Sequence, residues 1–326
     1  MAGGKAMEDP PSNQVDRGLN VLKTAPVNHG KNVPNQHKIL TSFVAGGIAG
    51  AVAKTTIAPF DRTKINFQVS RNSFSTKAAL KFLVNTCRTE GVTSLWRGNS
   101  ATMIRIIPYA AIQFTSHEQF KILFSKKGQD YLPPAERFLA GSFAGITSTS
   151  ATYPLDLVRA RMAVTKRNTF HSAYEVLVKT YKSEGFLSLY RGYVPTVLGS
   201  IPYAGISFFT YDSLKKMHSE QFESEINAFH RMFYGAIAGA FSQSCTYPLD
   251  IVRRRMQTAG VIEGREKCYN SILGTIKRIT IEEGFIRGMY KGLSLNWIKG
   301  PIAVGTSFMT FETVQQFLRR FEIFHE

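Results

Sequence analysis

The sequence predicts an all-helical membrane protein in which six transmembrane helices form three pseudo-symmetric repeats, with short surface helices between them. One observation is a Pro-x-Asp-x-x-Lys/Arg pattern that occurs three times, with prolines at positions 59, 154 and 248. A pattern that recurs at a near-constant interval indicates one structural unit used three times. The other is a set of apolar segments in matching positions, several of about 18 to 20 residues, the length of helix that crosses a bilayer.

Four further features keep the register of these repeats. They are a Gly-x-x-x-Gly pair (beginning at Gly46, Gly141 and Gly235), a Glu-Gly pair (Glu90, Glu184 and Glu283), an aromatic-basic-Gly triplet (ending at Gly98, Gly192 and Gly292) and a phenylalanine four residues before an acid (Phe114, Phe208 and Phe308). In a bilayer, small residues let helix backbones approach closely. We therefore expect the glycine pairs to lie at helix contacts.

Each repeat offers two transmembrane segments, the first ending near the Pro-x-Asp pattern and the second following the aromatic-basic-Gly triplet. In chain order the segments are 39–60, 98–116, 138–155, 192–211, 232–249 and 292–311. Three of them carry no formal charge, whereas Lys54, Arg105 and Lys299 interrupt the others. A proline inside a helix clashes with the preceding turn, so we expect each odd-numbered segment to kink and end at its proline.

A polar stretch separates the two segments of each repeat. In residues 170–184, Tyr174, Leu177, Val178 and Tyr181 fall on one face of a predicted helix. A short helix of this kind, apolar on one side, is typical of a segment lying at a membrane surface.

The net charge of +17 indicates an anionic partner, which could be a nucleic acid, an acidic membrane surface or a phosphorylated solute. A soluble nucleic-acid binder would interleave basic and aromatic residues and lack long uncharged segments, so we expect no nucleic-acid partner. The three cysteines have no ligand-like spacing, which argues against a metal site or a disulfide scaffold. Residues 1–37 have the composition of a disordered tail without a signal-peptide core.

Threefold placement of the Pro-x-Asp patterns would bring three helices toward one axis, where each acid can meet the basic residue of another repeat. The predicted first ring consists of Asp61 with Arg159, Asp156 with Arg253, and Asp250 with Lys64. The alternative is that these charges lie separately at the water interface. Ion pairs in a partly dry site contribute little net stability, but they suit a switch that forms and breaks.

A second ring is predicted at the opposite end of the helices, after the repeated phenylalanines. Its pairs are Glu118 with Lys215, Glu312 with Lys121, and Asp212 with a partner on the sixth segment, where the basic position is occupied by Gln315. Because glutamine offers a hydrogen bond at best, we expect this ring to close less firmly than the first.

Lys54, Arg105 and Lys299 lie within otherwise apolar segments. A cation at mid-membrane is costly and is by default a candidate functional residue. The alternative is pairing with a structural acid, yet no Asp or Glu lies at similar depth in the same segments. Three cations would suit a polyphosphate, which arginine binds through two parallel hydrogen bonds.

From residue 38 to about residue 322, these motifs resemble the mitochondrial carrier family. The resemblance implies repeats at 38–128, 135–220 and 229–322 in a monomeric, multi-pass transporter of the mitochondrial inner membrane. It implies contact with inner-membrane lipid, including cardiolipin. The first ring would be the matrix gate and the second the cytoplasmic gate, opening alternately.

Within the family, residues 53–55, 97–105 and 253–256 are similar to those of adenine-nucleotide carriers. The resemblance implies phosphate binding by Lys54, Arg105 and Lys299, adenine binding by Gly199, Ser200 and Tyr203, a place beside the matrix gate for Arg254, and bracing of that gate by Gln68 and Gln257. Ala163 departs from the third brace position. Ala204 replaces an arginine of the ADP/ATP carriers, and His117 stands where the family has an aromatic residue, either as a tolerated replacement or as a pH sensor.

Residues 95–103, 107–114, 153–165 and 291–305 are most similar to the coenzyme A carriers of the family. This implies import of coenzyme A, and of dephospho-coenzyme A, in exchange for adenine nucleotides such as ADP. A general adenine-nucleotide or adenosine 3',5'-bisphosphate carrier remains the alternative. These molecules are substrates, so we expect no cofactor. The chain has no phosphate-cradling loop ending in Lys-Ser/Thr and no histidine pair at metal-binding spacing, and we expect no enzymatic activity.

Overall fold

A computed structural model describes residues 36–125, 133–166, 168–221, 226–262 and 269–318. The predicted disordered tail, 1–37, lies almost entirely outside these ranges. All regular secondary structure in the described ranges is helical. The fold class predicted from the sequence is confirmed in its helical character.

In the described ranges, six long helices and four short ones follow one another in a repeating order. The long helices are α1 (Gln36–Val69), α3 (Asn99–Phe124), α4 (Pro134–Val164), α6 (Tyr193–Gln221), α7 (Ala228–Thr258) and α10 (Leu293–Leu318). The short helices are α2 (Thr76–Glu90), α5 (Ala173–Glu184), α8 (Ile272–Glu283) and α9 (Phe285–Met289). The most extensive packing joins α3 to α4, α6 to α7, and α10 back to α1. Because the last long helix packs on the first, the repeats close into a ring.

By length and composition, one stretch of the described chain could cross a membrane on its own: Thr41–Val69, with a mean hydropathy of 1.3.

The prediction that each odd-numbered segment ends at its proline is wrong. Helices α1, α4 and α7 all continue through that proline for ten further residues. A proline removes one N–H and frees one carbonyl of the preceding turn. At Pro59 the freed carbonyl, that of Thr55, accepts a hydrogen bond of 2.8 Å from the indole Nε1 of Trp96, so the break in the backbone ladder is compensated from outside the helix.

The predicted surface helix within residues 170–184 is confirmed as α5. Its N-terminus is capped by Ser172, whose hydroxyl accepts a hydrogen bond from the backbone N–H of Glu175. The side chains of Val176 and Thr180 are buried, whereas Tyr174 and Tyr181 are exposed. The aromatic part of the predicted apolar face therefore points away from the protein.

The buried core lies where the short helices pack beneath the C-terminal halves of the long ones. One cluster joins Val158 and Met162 of α4 to Val176 of α5. An equivalent cluster in the third repeat joins Ile251 of α7 to Ile279 of α8. This end of the molecule therefore holds the first ring on a packed base.

The prediction that the Gly-x-x-x-Gly pairs form close helix contacts is wrong in this conformation. A Cβ atom added at Gly46, Gly50, Gly141, Gly145 or Gly235 would meet no atom within 4 Å beyond its own helix. The buried small residues form ladders that lie mainly one position earlier: Ala45, Ala49 and Ala53 in α1, Ala140, Ala144 and Ser148 in α4, and Ala238 and Ser242 in α7. Both ladders have a four-residue period, so the sequence could not tell which one faces inward.

Glycine is required at the end of the aromatic-basic-Gly triplet. Gly192 has φ +81°, a conformation that residues with a side chain rarely adopt. A Cβ atom here would lie 2.9 Å from the carbonyl oxygen of Arg253. The glycine thus lets the start of α6 approach α7 directly beside the first ring.

Candidate functional site

The first ring is present with all three pairs predicted from the sequence. Lys64 Nζ lies 2.7 Å from Asp250 Oδ2, and Arg253 lies 2.5 Å from Asp156 Oδ2. The third pair, Arg159 with Asp61, is also in contact. Each pair joins two different repeats, so the three together tie α1, α4 and α7 to one another and close the space between them.

Two glutamines brace this ring. Gln257 Nε2 donates hydrogen bonds to Asp156 Oδ2 at 2.8 Å and to the hydroxyl of Tyr153 at 3.0 Å. That hydroxyl in turn donates to the carbonyl of Arg191. In the equivalent arrangement around Asp250, Gln68 donates to the carboxylate at 3.0 Å and to the hydroxyl of Tyr247 at 3.2 Å.

The pair at Asp61 lacks this support. Ala163 and Ala58 stand where the other repeats have glutamine and tyrosine. The second carboxylate oxygen, Asp61 Oδ1, instead accepts a hydrogen bond of 2.9 Å from Lys299 Nζ. A small cavity of about 10 Å³ remains beside Ala58, Asp61 and Ala163. The ring is therefore asymmetric, with a cation of α10 taking the place of one brace.

The expectation that the mid-segment cations have no acidic partner is wrong for two of the three. Arg105 lies 3.1 Å from Asp156 Oδ1, and Lys299 pairs with Asp61. Lys54 is exposed and forms no ion pair with any residue that the structure describes. The two acids belong to neighbouring helices. The expectation considered only acids within the same segments, whereas helix packing brings these two close to the cations.

A central cavity of about 380 Å³ lies above the first ring. Five of the seven predicted binding residues line it: Arg105, Gly199, Ser200, Tyr203 and Arg254. Lys54 borders the smaller cavity instead, and Lys299 is held at Asp61. The side chains of α3, α4, α6 and α7 thus form one cationic wall around the larger cavity, while Lys54 and Lys299 lie toward α1 and α10.

Arg254 occupies the position beside the first ring that the resemblance implies. Its guanidinium donates a hydrogen bond of 2.9 Å to Gln257 Oε1 and lies 3.6 Å from Asp156 Oδ2. With Arg105 and Arg253, it is the third arginine within 4 Å of one carboxylate. This excess of positive charge at the floor of the cavity favours an anionic ligand.

In this conformation, none of the three pairs predicted for the second ring is formed between the residues that the structure describes. Lys121 pairs with Glu118, one turn away on the same helix, at 3.2 Å. Lys215 lies over the ring of Tyr211, with Nζ 5.7 Å from its centre. Of the two predicted rings, the first is therefore the one whose charge pairs are formed between the residues that the structure describes.

Sequence reasoning missed a further set of buried ion pairs. Arg62 binds Glu90 at 2.9 Å, Arg255 binds Glu283 at 2.6 Å, and Arg161 contacts Glu184. Each arginine also donates through Nε to a carbonyl of the next repeat, at Ala163, Gln68 and Gln257 respectively. These acids are the glutamates of the Glu-Gly pairs. Their recurrence at equivalent positions in all three repeats is the sequence signal that could have indicated a shared basic partner.

The charge of Glu283 is maintained by its partners. Burial of this carboxyl raises its pKa, but hydrogen bonds from Arg255 and Lys291 outweigh burial and hold the pKa below its usual value. Glu283 therefore stays ionised at neutral pH and keeps the end of α8 attached to α7.

Helices from three repeats surround a cationic cavity, and ion pairs between the repeats close this cavity at one end. This arrangement is typical of solute carriers. The sequence matches the family of mitochondrial carrier proteins over residues 35–128, 130–222 and 224–322. The chain belongs to the mitochondrial carrier family.

Several proteins of this family are similar to the chain over most of its length. The mitochondrial coenzyme A transporter SLC25A42 of Xenopus laevis is 53% identical over 97% of this chain and 96% of its own. The human protein of that name is 53% identical, with 88% and 91% covered. Solute carrier family 25 member 16 of Mus musculus is 40% identical, with 85% and 88% covered.

Proposed function

We propose that the protein is an antiporter of the mitochondrial inner membrane that imports coenzyme A, and dephospho-coenzyme A, in exchange for adenine nucleotides such as ADP. The observation that carries this proposal is the cationic cavity above the first ring, which is lined by Arg105, Arg254 and Tyr203. Coenzyme A presents a pyrophosphate, a ribose phosphate and an adenine, which suit such a cavity. The names of the relatives support coenzyme A as the substrate.

All six long helices cross the membrane in this proposal. They contain 26 to 34 residues, so at 1.5 Å per residue they extend about 39 to 51 Å, longer than the hydrocarbon core. Large apolar side chains such as Ile107, Phe209 and Met309 are more than 70% exposed on three different helices. Their exposure suits contact with lipid, while the charged residues face the central cavity and the first ring.

The contacts of Arg105 and Lys299 couple substrate binding to opening of the first ring. In the described conformation these cations are held by Asp156 and Asp61. Substrate phosphates would compete for both cations and withdraw them from the two carboxylates. Lys299 also takes the place of the missing glutamine brace at Asp61. The pair of Asp61 with Arg159 would therefore lose support as the substrate binds. Formation of the second ring behind the substrate would then complete alternating access.

The proposal is tested by uptake of labelled coenzyme A into liposomes that contain the purified protein and internal ADP. We expect uptake with internal ADP and none into liposomes without it. Absence of coenzyme A uptake together with rapid exchange of labelled ADP would instead indicate a general adenine-nucleotide carrier. Labelled adenosine 3',5'-bisphosphate in the same liposomes tests the remaining alternative.

Restoring the third brace with Ala163→Gln is expected to slow exchange and to raise the midpoint of thermal unfolding. A glutamine here would donate to Asp61, and hydrogen bonds to charged groups stabilise by about 1.5–3 kcal/mol. The measurements are the initial rate of exchange and a thermal-shift assay in detergent. Ala163→Leu, similar in size but without donors, is the control, and equal effects of both variants would argue against a brace.

Placing a cation in the second ring with Gln315→Lys is also expected to slow exchange. The new ammonium group would pair with Asp212 and hold the proposed cytoplasmic gate closed for longer. The neighbouring change Gln316→Lys adds the same charge outside the ring and serves as the control. If Gln315→Lys exchanges at the parent rate, or if adding Asp212→Asn does not relieve its defect, the pairing is wrong.

A further inference from the structure

Three of the six hydroxyl groups in the wall of the central cavity donate a hydrogen bond to their own helix. Thr196 donates to the carbonyl four residues earlier at 2.6 Å, and Thr246 does so at 2.9 Å. Ser200 donates to the carbonyl three residues earlier at 2.8 Å. These hydroxyls can accept a hydrogen bond from a ligand, but their protons are committed to the backbone.

Gln243 differs from them. Its side chain lines the cavity from α7 and is partly buried, yet it forms no hydrogen bond with any residue that the structure describes. The hydroxyl of Tyr203, on α6, also has no hydrogen-bond partner within the described chain. An amide offers a donor and an acceptor side by side, so Gln243 brings to the cavity a paired hydrogen-bonding group that the fold does not use.

Gln243 and Tyr203 lie close together. A Cβ atom at Gly239 would lie 3.9 Å from the Tyr203 hydroxyl. Gly239 precedes Gln243 by four residues on α7, and residues at this spacing lie on the same helix face, about 6 Å apart along the axis. Gln243 therefore lies about one helical turn from the point where the tip of the tyrosine approaches α7, and both residues line the cavity that Arg105 and Arg254 also line.

We propose that Gln243 recognises the adenine of the substrate through a pair of hydrogen bonds, while the ring of Tyr203 stacks on the base. Adenine carries an amino donor next to a ring-nitrogen acceptor, which matches the acceptor and donor of a glutamine amide. Aromatic side chains stack on any base, so the tyrosine holds the base without distinguishing it. This inference rests on the proposed function and adds to it the residue that selects the base.

The position of Gln243 in the repeats supports this role. The equivalent residues, five positions before the repeated proline, are Lys54 and Thr149. Lys54 borders the smaller cavity beside Asp61, whereas Thr149 and Gln243 line the larger one. At this level of the helices, the first repeat thus has a cation and the other two repeats have neutral hydrogen-bonding groups. This distribution suits a ligand with a phosphate end and a base end.

The test compares ADP with GDP as the internal substrate for uptake of labelled coenzyme A, using the full-length protein in liposomes. The variant Gln243→Glu replaces the amide with two acceptors, which match the two adjacent N–H donors of guanine and repel the ring nitrogen of adenine. We expect the ratio of ADP-supported to GDP-supported exchange to fall about tenfold, from the energy of one paired contact. Both nucleotides carry the same phosphates, so the added charge affects them equally.

Gln243→Met, similar in size but without hydrogen-bonding groups, is the matched control. We expect it to weaken exchange with ADP without favouring GDP, and to leave inhibition by inorganic pyrophosphate and by 4'-phosphopantetheine at parent values. An unchanged ADP-to-GDP ratio in Gln243→Glu would overturn the inference. So would a Gln243→Met variant that loses inhibition by 4'-phosphopantetheine to the same extent as it loses exchange with ADP. If the parent protein carries neither coenzyme A nor ADP, the proposed function itself fails.

Discussion

Replacing Arg105 with alanine is expected to abolish exchange of coenzyme A for ADP while leaving the protein folded. Arg105 lines the central cavity and pairs with Asp156 at 3.1 Å, so the change removes a cation that the proposed substrate phosphates require. Truncating one partner of a buried charge pair at a binding site costs about 2–5 kcal/mol, so losing the contact between Arg105 and a substrate phosphate predicts a fall of about 30-fold or more in the exchange rate. The measurement is initial uptake of labelled coenzyme A into ADP-loaded liposomes.

The fold should survive because Asp156 retains Arg253 and Gln257 as partners. Thermal unfolding of the variant in detergent should therefore stay close to that of the parent. Arg105→Lys keeps the charge but loses the fork of donors and is expected to recover part of the activity. Arg71→Ala, which removes an exposed arginine paired with Glu282, is the control and should exchange normally. Full transport by Arg105→Ala would refute its assigned role.

The change Asp156→Asn is expected to abolish exchange and to destabilise the protein. This carboxylate is 2% exposed, and three arginines, Arg105, Arg253 and Arg254, lie within 4 Å of its oxygens. The neutral amide would leave these buried cations without their counter-charge, and breaking a buried ion pair costs about 3–5 kcal/mol. The first ring would then no longer close. The measurements are exchange in liposomes and the midpoint of thermal unfolding in detergent.

A double variant tests whether the destabilisation by Asp156→Asn comes from uncompensated positive charge or from the changed side chain itself. Adding Arg253→Gln to Asp156→Asn removes one of the uncompensated cations and should recover part of the thermal stability, though not transport. Glu220→Gln, which changes an exposed acid paired at 3.8 Å with Lys216, is the control and should alter neither quantity. Parent-like stability of Asp156→Asn would show that the charge of this acid does not hold the ring together.

The pairs of the first ring could be predicted from the sequence because they depend only on repetition. Three identical patterns at nearly equal spacing must occupy equivalent places around one axis, so the acid of one repeat meets the base of another. The two glutamine braces and the absent third brace were implied by the resemblance to the carrier family. The second ring remains a prediction, because its pairs are not formed in the described conformation.

The partners of the mid-segment cations could not be predicted in this way. Arg105 and Lys299 reach Asp156 and Asp61 on neighbouring helices, and the distance between helices depends on packing that no single segment encodes. The continuation of α1 beyond Pro59 is accompanied by a hydrogen bond from outside the helix, donated by Trp96. The inward face of the small-residue ladders was also ambiguous, since alanine and glycine repeat with the same period.

The sequence by itself determined the three repeats, the helical fold class and the composition of the first ring, because these follow from periodicity and symmetry along the chain. Only the tertiary structure decided that Lys299 supports Asp61, that the buried arginines bind the acids of the Glu-Gly pairs, and that the amide of Gln243 faces the cavity without a partner within the described chain. The physical reason is that a hydrogen bond or an ion pair requires two groups within about 3 Å, and that proximity is created only when separate helices pack together.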